Sequence, residues 1–318
     1  MKTRTFFTVA ALALAVVLGG CSKEAKPSKT YRIGVSIPAA THGWAGGVVW
    51  SAEQSKKQHD GSDVEIFFAT SANPTEQADS IENLMVKGVD ALVVMAQEPG
   101  PLTQVCKKAK DQNIFLTVVS NPLTDPIQDI FVNGDNVSFG DAAGKAIIEL
   151  LGGKGDILVM EGIPCPINTE RVTGFNNALK AAPDIKVLES QPANWNTQKG
   201  LELMEGYLLK YQKIDAVWAG DDDVLLGAIK AYRESGRKDV KAFVGGGGSK
   251  QIVKMIIDGD PLVKATVTYP PQMISTAIEA TISALKAKGA PFEKEIIVKS
   301  EIVNGTTAQK HYIPESVY

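Results

Sequence analysis

The sequence predicts an α/β fold with two doubly wound parallel-sheet lobes. Strand-like apolar runs alternate with helical segments along almost the whole chain, a pattern typical of βαβ units with right-handed crossovers. The alternation occurs on both sides of Val132–Asp135, which predicts two sheets rather than one. The chain has 318 residues, more than a single hydrophobic core usually organises.

In the first half, short β-rich runs predict the strands, and apolar residues that share one helical face predict the helices. The run Val89–Met95 is continuously apolar, as expected for a strand buried on both faces of a parallel sheet. The predicted strands are Tyr31–Ile37, Val64–Ala69, Val89–Met95 and Ile114–Val119, and the predicted helices are Ala45–Lys57, Pro74–Lys87 and Leu102–Asp111.

The second half repeats the scheme. The predicted strands are Asp156–Met160, Ile185–Glu189, Ala216–Ala219, Ala242–Val244, Ala265–Thr268 and Glu295–Val298. The predicted helices are Phe139–Leu151, Glu170–Ala181, Thr197–Tyr211, Val224–Ser235, Lys250–Asp258 and Pro271–Ala287. The last helix and strand are too few elements to form a third lobe, so we expect them to complete the first two lobes. One lobe would comprise residues 31–132 with 270–299, and the other 133–269 with 300–318.

The first residues have the pattern of an export signal. Lys2 and Arg4 precede the apolar run Val9–Leu18, which is shorter than the roughly 20 residues that span a membrane. Cys21 follows where the run stops, and Leu18–Cys21 resembles a bacterial lipobox. We therefore expect residues 1–20 to be a lipoprotein signal peptide, Cys21 to carry the lipid, and residues 21–30 to form a polar tether. The alternative is an ordinary cleaved signal with an incidental cysteine.

Composition excludes several classes of partner. The net charge is −3, without the basic excess that nucleic-acid binding usually needs. His42, His59 and His311 are scattered without ligand spacing, so we expect no metal and no cofactor. After Cys21, the remaining cysteines are Cys106 in a helical segment and Cys165 in a loop of the other half. Two free thiols are favoured, with a disulfide between them as the alternative.

The loops that follow the strands hold the candidate binding residues, because ligands of open α/β sheets bind at the carboxyl ends of the strands. His42 and Trp44 follow the first strand, and Trp195 follows a strand of the second half. An imidazole beside aromatic faces suits a polar ring with apolar faces, and the two tryptophans would sandwich such a ligand. The alternative is a tryptophan that covers the core beside a solvated histidine.

Two charged groups in these loops suit a polar ligand. Arg171, placed at a helix start, offers donors for hydroxyls, a carboxylate or a phosphate, but it could instead pair with Glu170 or be solvated. In Asp221–Asp223, one carboxylate could accept ligand hydroxyls while another caps the helix expected from Val224. The spacing of a calcium loop is missing there. Gly245–Ser249 lacks the phosphate-loop ending and indicates close packing against a ligand or the opposite lobe.

No nucleophile, base or paired catalytic carboxylates stand out in these loops, so an exported enzyme is the least favoured function. Three passages carry a family resemblance: IGVSIP…HGW, PTEQADSIENLMVKGVDALVV and AVWAGDDDVLLGAIKAYRESG. On these the chain resembles the periplasmic sugar-binding proteins of ABC transporters, type I fold, in the ribose-binding branch. The resemblance implies three hinge strands near Val132–Asn133, Tyr269–Pro270 and Lys299–Ser300, about which the lobes close.

The resemblance also implies a set of ligand-binding positions. These are His42, Trp44, Ala96 or Gln97, Ser120, Asn121, Arg171, Trp195, Asp221, Gly247 and Tyr269. Ser120-Asn121 departs from the Asp-Arg usual in the family, and Gly247 replaces an aspartate. Because carboxylates bind hydroxyls strongly, these losses should change the ligand. A pyranose or furanose is expected first, with a polyol, deoxy-sugar or less polar small molecule as alternatives.

The function expected from this resemblance is that of a monomeric, lipid-anchored solute receptor outside the cytoplasm, which delivers a sugar-like ligand to an ABC permease. The alternative is a sensory receptor that presents its closed form to a membrane kinase or chemoreceptor. Repressors share the fold, but they carry an N-terminal DNA-binding helix-turn-helix where this chain has an export signal.

Overall fold

The computed structural model describes residues 30–40, 42–287 and 289–318, and within these ranges it forms two six-stranded sheets. The strands are β1 (Tyr31–Pro38), β2 (Val64–Ser71), β3 (Ala91–Val94), β4 (Phe115–Val119), β5 (Ile130–Gly134), β6 (Lys154–Glu161), β7 (Asp184–Pro192), β8 (Ala216–Ala219), β9 (Ala242–Gly247), β10 (Val263–Thr268), β11 (Glu295–Val298) and β12 (Ile302–Asn304). The helices are α1 (Gly43–His59), α2 (Pro74–Val86), α3 (Pro99–Asp111), α4 (Asn136–Leu151), α5 (Pro166–Leu179), α6 (Thr197–Lys210), α7 (Asp222–Ser235), α8 (Lys250–Ile257), α9 (Met273–Lys286) and α10 (Ala308–His311).

The two sheets share one strand order. The first reads β2-β1-β3-β4-β5-β11, and the second reads β7-β6-β8-β9-β10-β12. The first is parallel throughout, whereas β12 pairs antiparallel with β10 at the edge of the second. In this doubly wound order the strand sequence reverses between β1 and β3 and between β6 and β8, which is where such sheets bind ligands. The expected pair of α/β lobes is confirmed.

Continuous apolar strands form the centre of each lobe. All residues of β3 and β8 are buried, as expected for strands covered on both faces by helices. Ile33 of β1 pairs in register with Ala91 of β3, and Ile157 of β6 with Ala216 of β8. Within each lobe the two central strands are therefore in register, so the loops after them emerge from the same end of the sheet.

The chain passes between the sheets three times, because consecutive elements belong to different sheets at three places. It leaves the first sheet after β5, returns to that lobe between β10 and α9, and passes from β11 to β12. These segments include residues 134–136, 268–273 and 298–302. Helix α9 packs on β3, β4 and β5, so it belongs to the first lobe.

Some boundaries differ from those predicted. The short strand β12 and the helix α10 were not predicted, and β5 was expected only as a hinge strand near Val132–Asn133. Helix α5 begins at Pro166 rather than Glu170, since a proline is favourable in the first turn. Helix α7 begins at Asp222 rather than Val224, because Asp221 is its N-cap.

Both Cys106 and Cys165 are free thiols, so the alternative of a disulfide was wrong. Cys106 is fully buried in α3, where burial raises the pKa of its thiol to about 12. Cys21 and the leader lie outside the described residues. Within the described part of the chain, each helix is too short or too polar to cross a membrane.

Candidate functional site

A cavity of 210 Å³ lies between the two lobes, at the carboxyl ends of their central strands. Sequence reasoning proposed ten ligand-binding positions, with Gln97 for the third loop, and the structure brings all of them to this cavity. They are His42, Trp44, Gln97, Ser120, Asn121, Arg171, Trp195, Asp221, Gly247 and Tyr269. Six further lining residues were missed: Pro38, Ala45, Val48, Met95, Ile163 and Ile167. Their apolar side chains look like ordinary core residues in the sequence, so nothing there marks them as part of a cavity.

Arg171 is buried, and hydrogen bonds and ring contacts within its own lobe hold its guanidinium in place. Its Nε donates to Asn136 Oδ1 at 3.3 Å and its Nη1 to the Gly220 carbonyl at 2.9 Å. Its guanidinium carbon lies 4.0 Å from the ring centre of Phe139 and 4.4 Å from that of Tyr269. Both stacking contacts fix the plane of the guanidinium. Burial lowers the pKa of Arg171 from its usual value, which neighbouring Tyr269 and Asp221 partly offset.

This arrangement corrects the placement of Arg171 at a helix start. The residue lies inside α5, because that helix begins at Pro166. It is 5% exposed, so the solvated alternative was wrong. Glu170 does not pair with it, and its carboxylate instead accepts a hydrogen bond from Asn136 Nδ2 at 3.2 Å.

The three consecutive aspartates have three different tasks. Asp221 lines the cavity and caps α7, accepting from the backbone N–H groups of Asp223 at 2.9 Å and Val224 at 3.3 Å. The expectation that one carboxylate faces the ligand while another caps the helix was therefore wrong, because Asp221 occupies both places. Burial, together with Asp223 and Asp222, raises the pKa of Asp221 to about 8.

Asp222 is fully buried and does not line the cavity. One of its oxygens accepts from the Ser249 N–H at 2.6 Å and the other from Thr266 Oγ1 at 2.8 Å. Burial raises its pKa to about 7 despite these bonds. A Cβ atom at Gly245 would come within 2.1 Å of Asp222 Oδ1, so this glycine makes room for the carboxylate.

The glycine run Gly245–Gly248 was expected to pack against a ligand or the opposite lobe. Gly247 lines the cavity, whereas Gly245 and Gly246 pack against residues of their own lobe. A Cβ atom at Gly246 would meet Phe139 of α4 at 2.4 Å. For these two positions the expectation was wrong, because the side chains of Asp222 and Phe139, which belong to the same lobe, occupy the space beside them.

Asp223 joins the two lobes. Its Oδ2 accepts a hydrogen bond of 2.7 Å from the backbone N–H of Gly43, the first residue of α1 in the other lobe. A carboxylate at a helix N-terminus is favourable because the unpaired N–H groups there carry partial positive charge. Sequence reasoning missed this contact, since nothing local relates two residues that are 180 positions apart.

Aromatic rings enclose the cavity from both lobes. The imidazole of His42 stacks on Trp44 with 6.4 Å between ring centres and lies 6.3 Å from Trp195 of the opposite lobe. Trp44 Nε1 donates to the Tyr269 carbonyl at 2.7 Å, which holds its indole across the lobe boundary. Burial lowers the pKa of His42, and its Nδ1 is buried without a hydrogen-bond partner among the described residues.

Trp195 is held in an uncommon backbone conformation. Its φ is +52° and that of Asn194 is +55°, both in the left-handed region that non-glycine residues rarely occupy. The indole lies over Gly162, where a Cβ atom would be 2.1 Å from Trp195 Nε1. Strain of this kind is characteristic of ligand sites, where the surrounding structure has to maintain it.

The first-lobe wall also includes Gln97, Ser120 and Asn121. Asn121 Nδ2 donates to the Ala96 carbonyl at 2.8 Å, so its Oδ1 is the atom left for a ligand. Gln97 Nε2 donates to the Ala72 carbonyl at 3.2 Å, while its Oε1 is buried without a partner in the described ranges. Ser120, with φ +62°, lies 3.1 Å from the hydroxyl of Tyr269 through its Oγ.

Tyr269 connects the cavity to the segments that cross between the lobes. It follows β10, and its hydroxyl also donates to Asn133 Oδ1 at 3.4 Å. A Cβ atom at Gly134 would come within 2.1 Å of the Tyr269 ring, so only glycine fits there. Tyr269 thus contacts the crossing segment after β5 as well as Arg171 and Trp44 in the cavity.

Comparisons with known proteins agree with this architecture. The family model described as "Periplasmic binding protein domain" matches residues 33–289, well over half of the chain. The chain belongs to the periplasmic binding protein family. Such proteins are binding proteins rather than enzymes, and family membership implies a location outside the cytoplasm. The expected resemblance is confirmed at this level.

Individual relatives of this periplasmic binding protein are distant but cover most of its length. It is 29% identical over 254 residues to the xylitol-binding protein of Mycolicibacterium smegmatis, covering 79% of this chain and 71% of that protein. It is 29% identical over 283 residues to the ribose import binding protein of Bacillus subtilis, covering 86% and 90%.

A solved structure is also similar. The periplasmic binding protein of the arabinose ABC transporter from Shewanella sp. ANA-3, bound to α- and β-L-arabinofuranose, superposes with a TM-score of 0.79 at 25% identity. The match covers 88% of this chain and 94% of that one.

Proposed function

We propose that this protein captures a small, neutral polyhydroxyl molecule, a sugar or polyol, in the cavity between its lobes and delivers it to an ABC permease. The observation that carries the proposal is the chemistry of the cavity. Flat aromatic faces from both lobes surround polar atoms that converge on one small space. Sugars present C–H faces for stacking and hydroxyls for directed hydrogen bonds, so they match both features.

The free polar atoms favour a ligand rich in donors. Gln97 Oε1 and Asn121 Oδ1 are acceptors, and one N–H of each side-chain amide is already bonded to a backbone carbonyl. Asp221 also faces the cavity, and below its pKa of about 8 its carboxyl group can both donate and accept a hydrogen bond. Hydroxyl groups supply the matching donors. A phosphate or carboxylate ligand could pair with Arg171, but it would place acceptor oxygens against Gln97 Oε1 and Asn121 Oδ1.

The size of the cavity supports a monosaccharide-sized ligand. Its 210 Å³ lies below the roughly 300–1,000 Å³ typical of sites for drug-sized molecules. The relatives named above bind xylitol and ribose, and the similar solved structure holds arabinofuranose. We take a furanose, pyranose or linear polyol as the ligand class, with the ten predicted lining positions as its binding residues.

Capture would proceed by lobe closure. We propose that residues 31–132 with 270–299 move against residues 133–269 with 300–318, about hinges near Val132–Asn133, Tyr269–Pro270 and Lys299–Ser300. The hydrogen bond from Gly43 to Asp223 would form on closing. Closure would bury the ligand, and the closed form would be the one that a permease recognises.

We also propose that the protein acts as a monomer tethered to a membrane. Cys21 would carry the lipid, and residues 21–30 would give the lobes reach to the permease. The resemblance to binding proteins of import systems supports delivery over sensing. Replacing Cys21 with Ala should move the protein from the membrane fraction to the soluble fraction of cells, and unchanged fractionation would contradict the anchor.

A thermal-shift experiment tests the ligand class. Xylitol, D-ribose and L-arabinose are the probes, and inorganic phosphate and L-leucine are the matched negative controls. A ligand that binds only the native state raises the melting temperature, by an amount that grows with concentration. At least one polyhydroxyl probe should raise it and neither control should. A response to phosphate or leucine alone would contradict the proposal.

A further inference from the structure

Tyr318 is buried where the two lobes meet, although it belongs to none of the loops that follow the strands. Its side chain is 7% exposed. It fills space that is left by one glycine from each lobe: a Cβ atom at Gly47 of α1 would come within 2.7 Å of Tyr318 Cβ, and one at Gly247 of β9 within 1.9 Å of its hydroxyl oxygen. Both contacts require glycine, so the two positions are built around this tyrosine.

The Tyr318 hydroxyl has no hydrogen-bond partner within the described part of the structure. A buried hydroxyl without a partner costs free energy, and native proteins contain few of them. Burial, with Asp222 and Asp221 nearby, raises the pKa of this phenol well above its usual value. The group is therefore a neutral hydroxyl that can donate one hydrogen bond.

The residue against which this hydroxyl packs, Gly247, also lines the ligand cavity. Gly247 lines the 210 Å³ cavity, and together with Tyr318 it also lines a second cavity of 150 Å³ on the far side. Gly247 is thus common to the two cavities, and because it carries no side chain, the Tyr318 hydroxyl packs directly against its backbone.

We propose that Tyr318 is a specificity-determining residue of the ligand site, whose hydroxyl donates a hydrogen bond past Gly247 to an oxygen of the bound polyhydroxyl ligand. This inference rests on the proposed function of the cleft. Gln97 Oε1 and Asn121 Oδ1 of the first-lobe wall are acceptors, so a donor from Tyr318 selects ligands that also present an acceptor oxygen here. A ring oxygen, or a hydroxyl that already donates elsewhere, meets that requirement.

The test is calorimetric titration of the parent and of Tyr318→Phe with xylitol, D-ribose and L-arabinose. The phenylalanine keeps the ring and its packing and removes only the hydroxyl. Affinity for the best of the three probes should fall about fivefold, as expected for one neutral hydrogen bond. The ratio of affinities among the probes should also change, since each places its oxygens differently.

Tyr312→Phe is the matched control, because Tyr312 lies outside the cavity and packs at the edge of the second-lobe core. It should bind all three probes as the parent does. Tyr318→Phe with unchanged affinities, or with all three affinities lowered by one common factor, would overturn the inference, since the second result indicates a purely structural role. A parent that binds none of the probes would contradict the proposed function itself, and the inference with it.

Discussion

The two walls of the cavity differ in charge and in how fully their polar groups are bonded. The second-lobe wall carries the ionisable pair Arg171 and Asp221, and both make hydrogen bonds to their own lobe. The first-lobe wall carries His42, Gln97 and Asn121. None of the three is charged at neutral pH, because burial lowers the pKa of His42. Two polar atoms of that wall, His42 Nδ1 and Gln97 Oε1, are buried without partners among the described residues.

This difference indicates that the walls have different roles in binding. Arg171 and Asp221 are held in place before a ligand arrives, so the second lobe presents a preorganised surface. The unpartnered atoms of the first lobe gain their hydrogen bonds only from a ligand. We therefore expect the second lobe to bind first and the first lobe to complete the site as the cleft closes.

The largest expected effect comes from removing the arginine of the preorganised wall. Arg171→Ala removes the charged donor and leaves Asn136 and the Gly220 carbonyl without it. Ligand affinity should fall about a hundredfold in calorimetry. Arg233→Ala, at a half-exposed arginine on α7, is the control and should bind normally. Equal affinities for the two variants would mean that Arg171 only supports the fold.

The two tryptophans of the cavity test whether both walls contribute equally to stacking on the ligand. Trp44 belongs to one wall and Trp195 to the other. Trp44→Ala and Trp195→Ala should each weaken binding about thirtyfold, because each removes a large face on which the ligand stacks. Trp50→Ala, in α1 but outside the cavity, provides the comparison. If only one cavity tryptophan mattered, the proposed sandwich of the ligand between the two indoles would be wrong.

Variants of Asp223 test the hydrogen bond that joins the two lobes, rather than the ligand contacts of either wall. Asp223→Ala removes the bond to the Gly43 N–H and should weaken ligand binding about tenfold by destabilising the closed form. Asp223→Asn keeps an acceptor oxygen and should have a smaller effect. Small-angle scattering with saturating ligand should show a larger radius of gyration for Asp223→Ala than for the parent. Identical closure and affinity would exclude a role for this contact.

The last expected effect is on stability rather than on ligand affinity, and it concerns the charge of the second wall. The folded protein raises the pKa of Asp221 from 3.8 to about 8, so between these values the native state binds a proton that the unfolded state does not. Stability of the unliganded protein should therefore fall as pH rises from about 4 to about 8.

Asp221→Asn should flatten that slope, since asparagine is also a good N-cap and cannot ionise. Asp222 contributes in the same direction, so part of the slope should remain. Urea unfolding at several pH values measures it, with Asp79→Asn at an exposed position of α2 as the control. A slope that is the same in both variants would mean that Asp221 is not buried as a neutral acid.

Local patterns in the sequence were enough to predict most of the fold, and the family resemblance added lining positions such as Ser120 and Tyr269. Continuous apolar runs such as β3 identify the central strands, and their ends locate loops such as the one with His42 and Trp44. Short edge strands such as β12 have too few residues to produce a period. The start of α5 was misplaced, although Pro166 after Cys165 is a recognisable first-turn signal.

Contacts between distant residues could not be predicted in this way. The bond between Gly43 and Asp223 joins the lobes, and the packing of Tyr318 against Gly247 depends on how separate segments come together. Neither leaves a periodic or spacing signal. The positive φ of Ser120 and Trp195 is likewise set by tertiary packing, because neither residue type favours that conformation.

A crystal structure with the polyhydroxyl probe that gives the largest thermal shift tests the central claim most directly. We predict one ligand molecule in the 210 Å³ cavity, hydrogen-bonded to Gln97 Oε1 and His42 Nδ1 on one wall and to Arg171 and Asp221 on the other. A ligand bound outside this cavity, or held by residues of a single lobe, would contradict the account.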